Sequence, residues 1–236
     1  MKNIIDVRDY SMDRKGFSLK SISFSVAKGE SFAILGQTGS GKTMLLESIA
    51  GYYKDGHGDI LINGYPVNAV PTENRHIGFV YQDYYLFPHI TVFKNIAYGL
   101  NMQKKSKEFI KEAVEKIAET FSISHILNEY PGTLSGGEKQ RTAMARALVT
   151  KPDILLLDEP FSALDPNTKK KLYKEFEKIR NEYKCPILFV THDFEEARLL
   201  ADRIGIMHDG RLCAIRTPDT LFMPYEDDRV SEFLGI

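Results

Sequence analysis

The octapeptide Gly36-Gln37-Thr38-Gly39-Ser40-Gly41-Lys42-Thr43 constrains this chain more than any other stretch. It fits the spacing G-x-x-x-x-G-K-[ST], whose chemistry is the cradling of phosphates. The glycines let successive backbone N–H groups turn toward one point. The N-terminus of a following helix adds its positive dipole end there. Lys42 is then placed to reach the terminal phosphates of a nucleotide, and the Thr43 hydroxyl to ligate Mg2+. The flanks suit this loop. Ser31 to Leu35 is a short apolar run that predicts a buried strand. Leu45, Leu46 and Ile49 recur at helical spacing and predict a helix from Met44 to Ala50 that stops at Gly51.

The rest of the chain reads as an α/β fold with additions. Ile4 to Val7 predicts a first strand, and the near-alternation of Phe17, Leu19, Ile22, Phe24 and Val26 a second, half-buried one with an irregularity. Asp59 to Val67 predicts a hairpin turning at Asn63-Gly64. Ile77 to Val80 is a short strand, followed by Gln82. Tyr84-Tyr85-Leu86-Phe87-Pro88-His89 is a loop dense in aromatics, open to two readings: packing around a turn, or an exposed docking surface. Lys107 to Phe121 predicts an amphipathic helix burying Phe109, Ala113, Val114, Ile117 and Phe121, and a second helix opens at Leu134-Ser135-Gly136-Gly137-Glu138 and runs to about Thr150. Ile154 to Leu157 is a continuous apolar run of central-strand type. A helix starts at Asp165-Pro166, with Leu172, Phe176, Ile179 and Tyr183 as its stripe. Ile187 to Val190 is the next strand, a helix follows from Phe194 to Ala201, and Ile204–Met207 and Leu212–Ile215 form a closing hairpin. Thr217-Pro218-Asp219 predicts a last short helix. One domain is expected over 1–236, with 1–81 and 151–236 forming the core and 82–150 a helical insertion.

Composition excludes several function classes. The 236 residues carry a net charge of −1, so no general electrostatic case exists for nucleic acid or anionic lipid. The lysines at Lys104, Lys105 and Lys107, and from Lys169 to Lys174, read as solvated helix faces. Two cysteines, Cys185 and Cys213, stand far apart in no metal-ligand spacing, which suits a reducing compartment, and the six histidines form no H-x-x-x-H pair. No apolar run approaches the roughly 18 residues that span a bilayer. The N-terminal residues are mixed polar and charged, unlike a signal peptide.

Several motifs converge on one crevice, because the carboxyl ends of parallel strands line one edge of a sheet. Asp158 and Glu159 end the apolar run and are expected to face the phosphates, with Asp158 toward Mg2+ and Glu159 placed to polarise a water. Two adjacent carboxylates at a buried strand end need a compensating cation or partner. His192 ends the next strand, where a neutral imidazole can bond a phosphate or hold Glu159 in line. Leu134 to Glu138 supplies a hydroxyl, two glycine N–H groups and a helix N-terminus, and is therefore a second anion site. The loop at Gly36–Thr43 already has a complete cradle and leaves this second one without an obvious use.

These motifs, in this order, resemble the ATPase subunits of ABC transporters over essentially the full length. The phosphate loop is Gly36 to Thr43, the Q-loop glutamine Gln82, and the signature Leu134 to Glu138 with Lys139-Gln140-Arg141. The Asp-Glu-Pro strand end is Asp158 to Pro160, the D-loop Ser162-Ala163-Leu164-Asp165, and the switch histidine His192. The resemblance implies a P-loop nucleotidase core with an antiparallel β subdomain and a helical subdomain. It implies two copies packed head to tail around two Mg·ATP, each ATP between the P-loop of one copy and Ser135, Gly136 and Gly137 of the other. Glu159 would be the general base, Asp158 would act on Mg2+, Gln82 would sense Mg2+ and the membrane partner, and Asp165 would couple the two sites. The family stacks adenine on an aromatic ahead of the P-loop, which here is Phe17, with Tyr10 as the alternative.

Val80 to Val92, Asn95 to Leu100 and Thr191-His192-Asp193 are similar to importer ATPases in particular. Gly16-Phe17, Pro71 to Arg75 and Pro186 to Asp193 look most like molybdate/tungstate importer ATPases, with sulfate, iron and polyamine importers as close relatives. That likeness implies a peripheral ATPase on the cytoplasmic face of the membrane. It would dock on a permease through Tyr84 to His89 and be served indirectly by an extracytoplasmic solute-binding protein. With the sequence ending at Ile236, the C-terminal β-rich regulatory domain of many relatives is not expected. A non-transport ABC ATPase of DNA maintenance or translation is the alternative class, against which stand the single ATPase half and the lack of a heptad stretch.

Overall fold

The computed structural model describes residues 2–14, 16–162 and 165–236. In chain order its main elements are β1 (Asn3–Arg14), β2 (Phe17–Ala27), β3 (Ser31–Leu35), α1 (Lys42–Ala50), β4 (His57–Ile62), β5 (Tyr65–Pro66) and β6 (Ile77–Val80). Then come α2 (Val92–Met102), α3 (Lys107–Thr120), α4 (Gly136–Leu148), β7 (Ile154–Asp158), α5 (Pro166–Tyr183) and β8 (Ile187–Thr191). The chain continues through α6 (Phe194–Leu200), β9 (Arg203–His208), β10 (Arg211–Arg216) and α7 (Asp228–Leu234).

The strands form two sheets, a four-stranded one in the order β2-β1-β4-β5 and a six-stranded one in the order β10-β9-β3-β8-β7-β6. The first is antiparallel throughout. In the second, β9, β3, β8, β7 and β6 run parallel and only β10 turns back. Each central strand of the large sheet is buried on both faces, which is why its sequence reads as an unbroken apolar run. Successive side chains of a strand point to opposite faces, and here they serve different cores. Phe32 and Ile34 of β3, Leu156 of β7 and Leu188 and Val190 of β8 pack with α1 and the small sheet. Ala33 and Leu35, Leu155 and Leu157, Ile187 and Phe189 pack with the helices on the other side. Complete burial of such side chains stabilises by about 1.5–3 kcal/mol each.

The expected hairpin is β4–β5. It turns on Asn63 at φ 55° and Gly64 at φ 85°, two consecutive left-handed residues that only such a pair adopts readily. Three expectations differ from the structure. α2 was not foreseen, because it begins at a Thr91 cap directly after the aromatic loop and contains Gly99. In α3 the buried stripe is Ile110, Val114, Ile117 and Ala118, while Phe109 is 46% exposed, one position off the core-facing side. The last helix does not start at Pro218, where the chain makes a single 3-10 turn at Pro218–Thr220; it is α7, capped by Asp227.

Candidate active site

The phosphate loop runs from the carboxyl end of β3 into α1. Gly41 sits at φ 100° and Gly39 at φ 85°, so both need glycine. A Cβ at Gly36 would collide with the Met207 carbonyl of β9, and one at Gly41 would lie 2.6 Å from Cε1 of Phe17. Gly51 closes α1 at φ 90°, and a Cβ there would meet the Arg75 guanidinium. That guanidinium is buried and donates to the carbonyls of Ser48, Ile49, Asn68 and Val70, satisfying the end of the helix that carries the loop. On the outer side, the Gly210 N–H donates to Ser40 O at 3.1 Å, bracing the loop against the β9–β10 turn. Lys20 reinforces that turn with an ion pair to Asp209 at 3.0 Å.

The Lys42 ammonium is almost fully buried. It donates to the carbonyls of Gly36 at 2.8 Å and Gln37 at 2.9 Å and stands 3.8 Å from Glu159 Oε1. Burial lowers its pKa, and the charges of Glu159 and Asp158 counter this in part. Ser40 Oγ is buried without a hydrogen-bond partner among the described residues. Positive φ glycines, a tethered lysine and an orphaned hydroxyl on one loop fit an anion with several oxygens.

β7 delivers Asp158 beside this loop, where Oδ1 accepts from Thr43 Oγ1 at 2.9 Å. Burial pushes the Asp158 carboxyl above its usual range. The Thr43 hydrogen bond works against that, and the nearby charges of Glu159 and Glu47 add to it. The charge of Lys42 counters this in part, and a bound cation would counter it further. A carboxylate and a hydroxyl are hard oxygen donors of the kind Mg2+ takes. Gln82, the third expected metal-side residue, is exposed after β6. The pairing of Val80 with Leu157 brings the chain out beside the Asp158 end.

Glu159 follows at φ 43°, a left-handed conformation that costs a non-glycine residue energy. It is held there by its N–H to Val190 O and by the Ser162 N–H and hydroxyl on its own carbonyl. The result is that Glu159 Oε2 lies 3.1 Å from His192 Nδ1, across the ends of β7 and β8. One small region thus holds Lys42, Thr43, Asp158, Glu159 and His192, as the strand ends implied.

The second anion motif lies elsewhere. Ser135 caps α4 in a reciprocal box: its Oγ meets the Glu138 N–H at 3.4 Å, while Glu138 Oε2 accepts from Ser135 N at 2.9 Å and from Ser135 Oγ at 2.6 Å. These hydrogen bonds hold the Glu138 carboxyl below its usual range. α4 packs in the helical core, not in the core that holds α1. Asp165 caps α5 through Thr168 N; Ala163 and Leu164 of the expected D-loop lie outside the described residues. Phe17 is half-buried with its ring against Gly41, whereas Tyr10 is 2% exposed, inside the core and against Gly56. Burial removes Tyr10 as a ring on which a base could stack.

The ABC transporter family model matches residues 19–162. The molybdate/tungstate import ATP-binding protein WtpC of Pyrococcus horikoshii is 46% identical over 232 residues, spanning 98% of this chain and 67% of that protein. This chain belongs to the ABC transporter ATP-binding family. Among solved ABC structures, cbiO1 from Clostridium perfringens, part of the ABC transporter complex cbiONQ, superposes with a TM-score of 0.85 at 28% identity over 100% of both chains. An ATP-binding cassette in a dimeric, post-hydrolysis state bound to ADP and Pi superposes with a TM-score of 0.80 at 28% identity, covering 91% of this chain and 98% of that one. The ABC ATPase fold expected from the motifs is therefore the fold observed. No helix among the described residues of this ABC chain is long and apolar enough to cross a membrane.

The aromatic loop of the ABC chain divides between its two readings. Tyr84 is buried in the helical core and so belongs to packing, which corrects its expected place on a docking surface. Tyr85 is 61% exposed, Pro88 and His89 are exposed, and the half-buried Phe87 packs at 4.7 Å, its ring tilted, against Tyr98, itself 44% exposed. Two residues that pattern reading passed over hold this ridge. Asn95 is fully buried; its amide accepts from Phe87 N and donates among the carbonyls of Phe87, Ile90 and Thr91. Arg146 of α4 donates to the carbonyls of Tyr84 and Tyr85. In sequence, the only signal for either was a polar side chain on an otherwise buried helix face.

Proposed function

We propose that this chain is the ATP-hydrolysing subunit of an importer for molybdate or tungstate. The observation that carries the ATPase part is the 3.1 Å approach of His192 to Glu159 beside the tethered Lys42. The solute rests on the 46% identity to the archaeal molybdate/tungstate protein over nearly the whole chain.

In this reading the backbone of Gly36 to Thr43 and the Lys42 ammonium bind the β- and γ-phosphates of ATP. Thr43 and Asp158, with Gln82, hold Mg2+, which when bound neutralises charge on those phosphates. Glu159 accepts a proton from the attacking water. His192 keeps the Glu159 carboxylate oriented and meets the γ-phosphate from the β8 side. Phe17 offers its ring to the adenine beside Gly41. Ser135, Gly136 and Gly137 serve the nucleotide of a second copy packed head to tail, which gives the spare anion site a use; Asp165 couples the two sites. The separate packing of α4 and α1 supports a site completed between chains.

The ridge of exposed Tyr85, Pro88, His89 and Tyr98 around the half-buried Phe87 docks on an integral membrane permease at the cytoplasmic face, and an extracytoplasmic binding protein delivers the solute. Rings that are exposed yet fixed from behind by Asn95 and Arg146 suit a docking surface. ATP-driven closure of the dimer is the two-state element passed to the permease. The test is ATPase stimulation in the complex copurified with its permease and binding protein. Molybdate or tungstate should stimulate, and sulfate, phosphate, Fe3+ and spermidine should not. Stimulation by one of the latter replaces the solute, and a chain that copurifies with no membrane protein overturns the importer.

A further inference from the structure

One buried charge is left without a role by the mechanism above. Glu196, in the first turn of α6, is 2% exposed. A buried carboxylate is costly unless every oxygen is matched, and here both are. Oε2 accepts from Thr191 Oγ1 at 2.6 Å. Oε1 accepts from Lys169 Nζ at 2.8 Å and Tyr173 Oη at 3.3 Å. Lys169 and Tyr173 stand four residues apart on α5 and so share a face.

Those partners surround His192. The Thr191 hydroxyl that donates to Glu196 also accepts from the Asp193 N–H at 3.0 Å. Asp193 Oδ1 in turn accepts from the N–H groups of Glu195 and Glu196, and Asp193 Oδ2 lies 3.5 Å from Lys169. The Thr191 side chain before His192 and, through it, the Asp193 N–H after His192 are therefore both tied to one carboxylate. His192 itself is 53% exposed on its side chain, so little packing around the ring holds it toward Glu159. Besides the hydrogen bond to Glu159, its geometry rests on its backbone.

We propose that Glu196 is a positioning residue. Through Thr191 it clamps the backbone on both sides of His192 and thereby sets the His192–Glu159 contact, and through Lys169 and Tyr173 it joins that contact to α5. The proposal rests on the roles given above to His192 and Glu159. Burial alone would depress the Lys169 ammonium, but the hydrogen bond and charge of Glu196, with Asp193, hold its pKa above the ordinary value, as a maintained ion pair requires.

The test uses Glu196→Gln and Thr191→Val, the second removing only the hydroxyl link. The imidazole nitrogen resonances of 15N-labelled protein report whether His192 keeps its Nδ1 bonded to Glu159. Both variants should lose that signature. Both should lower kcat about 10-fold or more, the scale expected when a reacting group is displaced by a fraction of an ångström to one ångström, with KM for ATP little changed. Added to His192→Ala, Thr191→Val should cost nothing further, which a loss of general stability would not mimic. A wild-type His192 spectrum and wild-type kcat in both variants would overturn the proposal, as would a Thr191→Val loss that adds in full to that of His192→Ala. A wild-type protein that does not hydrolyse ATP, with the His192 signature still lost in both variants, supports the clamp and refutes the ATPase reading.

Discussion

His192 Nδ1 lies 3.1 Å from Glu159 Oε2, joining the ends of two adjacent parallel strands at a residue whose backbone is held left-handed. The contact holds one oxygen of a carboxylate whose other oxygen stands 3.8 Å from Lys42 Nζ. His192→Ala should lower kcat by roughly 10²–10⁴-fold, the range for groups that position or move a proton. Single-turnover kinetics separate this from binding: KM for ATP should stay near the wild-type value.

Asp158 carries the cost of a buried charge in the nucleotide-free protein. Burial raises its folded-state pKa above the unfolded value, so the folded protein holds the proton more tightly. Its contribution to stability is then greatest below the unfolded pKa and declines as pH rises through the folded one. Asp158→Asn should accordingly raise the Tm of the nucleotide-free protein at neutral pH and flatten its dependence on pH in the acid range. Adding Mg·ATP should stabilise the wild type more than the variant, which keeps the phosphate cradle but lacks one Mg2+ ligand. Calorimetric scans with and without Mg·ATP measure both effects.

Ser135 has a local task and a proposed distant one, and their sizes differ. As a helix cap its loss costs about 1 kcal/mol, or about 2–4 °C in Tm for a domain of this size. As the partner-facing hydroxyl its loss should impair hydrolysis far more than that destabilisation accounts for. Ser135→Ala should therefore show a small Tm change beside a large fall in ATPase rate, read on the same preparation.

Arg75 is the keystone of the helix behind the phosphate loop. Its guanidinium satisfies four carbonyls, at Ser48, Ile49, Asn68 and Val70. Arg75→Leu leaves several of them buried and unpaired, at about 1–3 kcal/mol each. A loss of roughly 3 kcal/mol implies a Tm drop of about 6–12 °C, which thermal denaturation by circular dichroism detects easily.

The contrast between Lys42 and Arg75 shows what could be read in advance. Lys42 was legible from the glycine spacing of its loop, and Asp158 and His192 because the short parallel strands before them are unbroken apolar runs that end at or just before them. Nothing in the sequence around Arg75 announces its task, since its partners lie more than 20 residues earlier and in its own loop. Gly210, which braces Ser40, and Arg146, which holds the aromatic loop, escape for the same reason: their partners are far away along the chain. Tyr10 and Phe17 are both aromatics ahead of the phosphate loop, and pattern alone could not separate them. The bulged pairing of β1 with β2 buries one ring and leaves the other at Gly41. Phe109 and Ile110 differ by one position on α3, a rotation of the helix that packing against α2 and α4 decides rather than propensity.

The central claim is that Glu159 activates the water in a site closed by a second copy. Glu159→Gln tests it most directly, by size-exclusion chromatography with Mg·ATP alongside a phosphate-release assay. The side chain keeps its size and loses only its capacity to take a proton. Hydrolysis should fall by roughly 10²-fold or more, and the trapped nucleotide should shift the protein to a dimer. Unimpaired turnover would remove Glu159 as the base, and a monomer at saturating ATP would contradict the shared site.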